Sequence, residues 1–273
     1  MSDFTTSSIP LSPPRVAAER PVSTLRDKSR RRLSAEGPLR RFQNWVNYAL
    51  AQVPPRFLTP AMADRDAQAM ASLSALAGGF RAVLPSLRGY GLTPQGALHL
   101  AALVQGAQPR HIVECGSGVS TVIFAAMLRN LGAGGCVTAL ENDPVFAEQT
   151  RDLLRRHRVD EWARVVDAPL APITLTDKSP WPWYAINSVA AVEGPIDFLL
   201  VDGPPGKLRR QARYPALPVF ASRLAPGALV VLDDVNRRDE SKIVARWQRE
   251  FGLELIDRIP ADKGMAVLRR ARA

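Results

Sequence analysis

From His111 to Arg269 short apolar runs alternate with stretches of helical periodicity, and that alternation leaves few architectures open. The runs His111–Glu114, Cys136–Glu141, Ala163–Asp167, Ile196–Asp202, Ala228–Asp233, Leu253–Arg258 and Met265–Arg269 are predicted as strands. Helical patterns fall between them, near Thr121–Leu131, Val145–His157, Leu208–Arg223 and Glu240–Phe251. Strands that are apolar throughout must be covered on both faces, so the expectation is an α/β domain with a doubly wound, mostly parallel sheet. No internal repeat is visible.

Helices are expected upstream as well. Thr93 reads as an N-cap, with Pro94 at the first helical position, for a helix running to about Gln105. Another spans Ala61 to about Val83, ending before Pro85. Phe42, Trp45, Val46, Ala49 and Leu50 recur at three- and four-residue spacing, which predicts a short amphipathic helix before the breaker Pro54-Pro55. Residues 1–38 are rich in Ser, Pro and Arg and carry no apolar period, the composition of a disordered tail. The chain thus divides into a basic tail at 1–38, an N-terminal helical extension at 39–92 and the α/β domain at 93–273.

The formal charge is +10 over 273 residues, and half of it lies before position 42, where nine basic residues face four acids. Such a tail either keeps the chain in solution or touches an acidic partner, nucleic acid or anionic lipid. Arg40-Arg41 beside the first amphipathic helix makes membrane-surface contact through residues 26–53 one reading; a helix covering its own domain is the other. No apolar run reaches the ~18 residues of a membrane span, and the N-terminus lacks a secretory pattern, so a soluble, cytoplasmic protein is expected. Cys115 ends one predicted strand and Cys136 opens the next, roughly 15 Å apart at ~3.3 Å per residue, too far for a disulfide. With two thiols and three scattered histidines no zinc spacing exists.

In a doubly wound sheet ligands bind beyond the carboxyl ends of the strands, and the polar motifs stand there. In His111-Ile-Val-Glu-Cys-Gly-Ser-Gly-Val-Ser-Thr121, Gly116 and Gly118 permit a tight turn around Ser117, and Ser120 or Thr121 can cap the next helix. A dinucleotide fingerprint wants a small residue where Thr121 stands, and Glu114 is badly placed for a pyrophosphate. A ligand with amino and carboxylate ends fits better. Glu141, 23 residues after Gly118 and followed by Asn142, stands where an acid accepts from ribose hydroxyls; a solvated strand-end acid is the plainer alternative. Asp167, followed by Ala168, ends the third strand, near the place of an adenine amino group.

Glu114-Cys-Gly-Ser-Gly118, Glu141, Asp167-Ala168, Asp202 and the final strands, in that order, resemble the motifs of class I S-adenosylmethionine (SAM)-dependent methyltransferases. The resemblance covers roughly residues 90 to 270. It implies a seven-stranded Rossmann-like sheet with the last strand inserted antiparallel, and SAM as cofactor. On these positions Glu114 and Gly116 would line the methionine end, Glu141 would hold the ribose, and Asp167 with Ala168 would border adenine. Ser117, Gly118, Ser120 and Asn142 are the further cofactor-binding candidates.

Methyl transfer to a hydroxyl also needs a base or a metal. Asp202, before the Gly-Pro-Pro-Gly206 turn, and the pair Asp233-Asp234 end neighbouring strands, and three oxygen ligands suit Mg²⁺. This is similar to the metal site of catechol-type and some sugar O-methyltransferases, although Asp234 stands where those of the catechol type often carry Asn. Alternatively Asp202 touches cofactor while Asp233 caps a helix or pairs with Arg237 or Arg238. Asp202 and Lys207 are the catalytic candidates, Lys207 serving as base if desolvated and otherwise being a solvated loop residue. Arg213-Tyr-Pro215 looks like a helix interruption that could orient a substrate. Trp181, Trp183 and Tyr184 either stack on a ligand or pack in the core. In the Asp202-Gly-Pro-Pro run a glycine follows the acid and Gly206 replaces the aromatic of base-methylating enzymes, which disfavours a nucleic-acid substrate. The expected activity is methylation of oxygen on a small molecule or sugar. The alternatives are an RNA methyltransferase, a non-catalytic SAM-fold binding module and, last, a nicotinamide dehydrogenase.

Overall fold

The computed structural model describes residues 60–85, 87, 92–176, 179–260 and 263–271. The basic tail, the amphipathic helix predicted on Phe42–Leu50 and the membrane-contact segment 26–53 lie outside the described residues. Helix α1 (Pro60–Leu76) and helix α2 (Pro94–Ala107) precede the sheet. Then follow β1 (His111–Cys115), α3 (Val119–Leu131), β2 (Cys136–Glu141), α4 (Pro144–His157), β3 (Ala163–Asp167), β4 (Leu170–Thr174), β5 (Pro180–Tyr184) and α5 (Ile186–Ala190). The chain closes with β6 (Ile196–Val201), α6 (Ala216–Phe220), β7 (Leu224–Asp233), α7 (Arg238–Phe251), β8 (Glu254–Ile259) and β9 (Met265–Arg269).

Seven strands form one sheet in the order β3-β2-β1-β6-β7-β9-β8. β9 is antiparallel to both its neighbours, and the other pairs are parallel. This is the doubly wound, mostly parallel α/β sheet expected, with the last strand inserted antiparallel. Alternate residues explain why the strands are apolar throughout. Val113, Leu199, Val230 and Leu268 face one core, with Trp183 and Trp247. Ile112, Phe198, Val231 and Val267 face the other, with Leu73, Leu100 and Phe124. Among the described residues no helix is long and apolar enough to cross a membrane. Cys136 pairs in register with His111, four residues before Cys115, and both thiols are free.

Local chemistry sets the helix starts. Thr93 caps α2 by accepting from Gly96 N–H at 3.1 Å, and Asp143 caps α4 by accepting from Val145 N–H at 2.8 Å. Each cap is followed by proline, which has no N–H to lose.

Three expectations are corrected. The helix predicted from Ala61 to Val83 stops at Leu76, where Gly78 and Gly79 turn at φ +66° and +81°. The helix predicted over Leu208–Arg223 is a turn of 3₁₀ helix at Gly206–Leu208, an irregular stretch, the short α6 and a second 3₁₀ turn. Pro215 cannot donate within a helix, and Gln211 takes the left-handed conformation at φ +57°. Finally, the stretch holding Trp181, Trp183 and Tyr184 is an antiparallel hairpin, β4–β5, with Pro172 opposite Pro182. Proline hid these strands, because it is tolerated only where the ladder has a free edge. All three aromatic rings are buried, which is the core reading.

Phe198 on β6 and Phe124 on α3 meet edge to face at 5.6 Å, tying the central strand to the helix that follows the glycine loop. Phe198→Ala is expected to lower unfolding free energy by about 3–5 kcal/mol. Urea titration followed by circular dichroism checks this; an unchanged midpoint would show that the pair is not part of the stabilising core.

Candidate active site

The glycine loop is held from beneath by two buried carboxylates. β1 ends at Cys115, and Gly116 turns at φ +104°, a conformation that favours glycine. Glu114 is 1% exposed and accepts from Ser120 Oγ and, at 2.6 Å, from Thr121 Oγ1. Thr121 Oγ1 in turn accepts from Gly118 N–H at 3.1 Å. Burial raises the Glu114 carboxyl to about 8, against the opposing pull of the two hydroxyls. Its side chain is turned into its own loop and does not line the cavity above, so Glu114 shapes the first turn of α3.

Glu141, at the end of β2, does the same from the other side. Its Oε2 accepts from Ser117 N–H at 3.0 Å and Ser117 Oγ at 3.1 Å, and its Oε1 from Asp143 N–H at 2.9 Å. Burial raises its pKa. Asn142 is half-buried in the turn that follows. Asp167 ends β3 and is exposed, its carboxylate paired with Arg151 at 2.9 Å. Ala168 is fully buried, its N–H donating to Glu141 C=O at 2.7 Å. Glu141, Asp167 and Ala168 thus meet at the adjoining ends of β2 and β3.

The ends of β6 and β7 bring in the aspartates. Asp202 and Asp233 line a cavity of about 90 Å³ together with Ser117, Gly118, Val119 and Ser120. Leu87, Leu92, Leu100 and Met265 make its walls apolar. Asp234, at φ +64°, is not among the lining residues. Arg213 runs behind the pair, almost fully buried. Its Nη2 donates to Asp202 Oδ1 at 3.0 Å and Asp234 Oδ2 at 2.9 Å, and its Nη1 to Asp233 C=O at 3.1 Å. Arg237 adds a contact of 2.8 Å to Asp234 Oδ2. The arginine at 237 therefore pairs with Asp234 and not with Asp233. Burial and then the charges of Asp202 and Asp234 push Asp233 up to about 8.

Residues 113–235, from β1 to just past β7, match the family model described as a methyltransferase domain. The chain carries a methyltransferase domain. Solved structures agree at the level of fold. The chain is similar to an O-methyltransferase from Bacillus cereus in complex with SAH, at 17% identity, a TM-score of 0.52, and 84% of this chain against 99% of that one. It is similar to a methyltransferase from Geobacter sulfurreducens, at 16% identity and a TM-score of 0.51, over 84% and 96% of the two chains. It is also similar to an SAH-bound methyltransferase from Podospora anserina, at 14% identity and a TM-score of 0.53, over 81% and 99%. No curated protein matches the sequence.

Within the methyltransferase domain the candidates from the sequence fall into groups. Ser117, Gly118, Ser120, Asp202 and Asp233 converge on one cavity. Lys207 is exposed on its 3₁₀ turn, without the burial on which a base role depended. For a divalent ion, one oxygen from each of Asp202, Asp233 and Asp234 lies within 4.8 Å of the others. The set does not fit one, because Arg213 already bridges Asp202 and Asp234, and Asp234 does not line the cavity onto which the other two open. The sequence offers Arg213 as a residue that could orient a substrate, and does not reveal its pairing with Asp202 and Asp234. The only signal was the proline two residues later, which breaks the helix and lets the chain turn inward.

The raised Glu114 carboxyl gives the methyltransferase domain a pH dependence of defined sign. A folded-state pKa near 8 against an ordinary 4.5 means that the folded chain holds a proton the unfolded chain has released. Stability is then complete below about pH 4.5 and falls as pH rises toward 8, at up to about 1.4 kcal/mol per pH unit for this one group. Urea unfolding at pH 6 and pH 7.5 should show the decline, and Glu114→Gln should flatten it by about one proton's worth; identical slopes would place the Glu114 pKa in the ordinary range.

Proposed function

We propose that the methyltransferase domain uses SAM and transfers its methyl group to an oxygen of a small molecule or sugar. The observation that carries the reading is the shared cavity, in which the glycine loop at 117–120 faces the carboxylates of Asp202 and Asp233 across apolar walls.

The chain's residues fit SAM. Val119 and Ser120 open the thirteen-residue helix α3, whose first N–H groups have no intrahelical partner and can receive a carboxylate. Glu141 Oε1 accepts one bond from Asp143, which leaves acceptor capacity for a ribose hydroxyl. When bound, SAM supplies a methyl group on a sulfonium, open to in-line displacement. Asp167 and Ala168 are assigned to the adenine edge, as the order of motifs implies. A cavity of about 90 Å³ is far below the ~300–1,000 Å³ of whole-ligand sites, so it suits the reacting groups alone.

Asp233 is the proposed base. One oxygen of Asp202 is pinned by Arg213, whereas Arg213 meets Asp233 only at its backbone carbonyl. Arg213 thus leaves the Asp233 carboxyl to its contacts with Asp202 and the Asp234 N–H, and a pKa near 8 suits a base that must both take and release a proton. The apolar walls exclude water and position the acceptor, and alignment supplies a large share of such a rate.

Calorimetric titration with SAM tests the first half. Saturable binding is expected, weakened roughly 10–100-fold in Glu141→Ala through loss of hydrogen bonds to a charged group. Mass-spectrometric detection of methylated product from a panel of hydroxyl acceptors tests the second. Asp233→Asn should lower kcat by about 10²–10⁴ while leaving SAM affinity nearly unchanged. Absence of SAM binding would overturn the reading altogether, and full activity in Asp233→Asn would remove Asp233 from the chemistry.

A further inference from the structure

Three aspartates at adjoining strand ends invite a divalent cation, yet the side chain that sets the local charge comes from the segment between β6 and α6. The Arg213 side chain is only 5% exposed and reaches Asp202 and Asp234 with the same nitrogen, at 3.0 and 2.9 Å. Arg237 takes the same oxygen of Asp234 at 2.8 Å. A divalent ion sits about 2.0–2.6 Å from its oxygen ligands. On these carboxylates it would stand close to a buried guanidinium, where water screens the repulsion poorly.

The conformation of Asp234 points the same way. At φ +64° the backbone favours Asn or Asp over other side chains and does not itself require a charge. The carboxylate's charge is answered by Arg213 and Arg237, and Asp234 does not line the cavity that a substrate would enter. Its Oδ1 is buried without a hydrogen-bond partner among the described residues, on a side chain that does not line that cavity. Only Asp202 and Asp233 of the three open onto it.

We propose that Arg213 is the resident cation of this cluster, standing where a three-carboxylate site would hold a divalent metal, so that the chain binds no metal there. Asp234 is then an anchor that places the guanidinium, and Arg213 is a positioning residue for Asp202. The proposal concerns charge balance alone and stands whatever the acceptor proves to be.

Titration of the full chain with Mn²⁺, followed by the electron paramagnetic resonance signal of the free ion, tests it without any substrate. The wild type should show no stoichiometric binding up to millimolar Mn²⁺. Arg213→Gln, with its fold checked by circular dichroism, should take up one Mn²⁺ per chain at least about tenfold more tightly. Adding Asp233→Asn should abolish that site. The proposal is overturned if the wild type binds one Mn²⁺ and loses it in Asp233→Asn, or if folded Arg213→Gln gains no site. Should Arg213→Gln not fold, the wild-type titration with its Asp233→Asn control decides by itself.

Discussion

The pairing of β1 with β6 is the constraint on which the site rests. At the carboxyl end of this pair the strand order reverses, with β2 and β3 on one side and β7, β9 and β8 on the other. Asp202 N–H donates to Cys115 C=O at 3.1 Å, one residue past the end of β6, so the two chains stay together until the loops part. Gly203 then passes so near Gly116 that an added methyl would stand 3.1 Å from Gly116 N and Cys115 O and would collide with the Tyr184 hydroxyl. That close approach brings the glycine loop and Asp202 to one cavity. The crevice in which this sheet class binds ligands is thus a product of two glycines and one shared backbone bond.

The chain is basic as a whole, whereas its site is built from acids that burial holds toward the protonated form. The whole sequence carries +10, yet the inner rim gathers Glu114, Glu141, Asp202 and Asp233, all with carboxyls raised by burial. Two of them hold the glycine loop through serine and threonine hydroxyls and backbone N–H groups. Buried carboxylates are costly unless hydrogen-bonded, and here the loop geometry is what meets that cost. Net charge, which bears on solubility and on encounter with partners, says little about a pocket built this way.

Much of the sheet was legible because its period is local. β2, β3 and β9 run over the residues expected from their apolar stretches, and the caps Thr93 and Asp143 follow from neighbours three and two residues away. The glycine loop was legible for the same reason. What the sequence concealed is tertiary. The strands of the β4–β5 hairpin contain proline and pass for loop until their aromatic rings find the core. The partners of Arg213 lie on two other strand ends, and although Pro215 marks a break in residues 208–223, it does not say which side chains the break turns inward or what they meet. Spacing locates Glu114 at a strand end without saying which way its oxygens turn, and the hydroxyls of Ser120 and Thr121 that they meet became visible only in the fold.

The bracing around Arg213 also bears on how the site responds to its surroundings. Next in sequence, Tyr214 packs its ring against Trp181 at 5.2 Å, gives its hydroxyl to Glu250 at 2.5 Å and offers its carbonyl to Trp247 Nε1 at 3.1 Å. The hairpin and α7 thereby fix this stretch of backbone before any ligand arrives. Mobile salt ions damp interactions between exposed charges beyond a Debye length of ~8 Å at physiological strength, and reach buried pairs far less. The Arg213–Asp234 pair, buried on both sides, therefore belongs to the fold itself, insulated from ionic strength in a way that the exposed Arg151–Asp167 pair on the opposite flank is not.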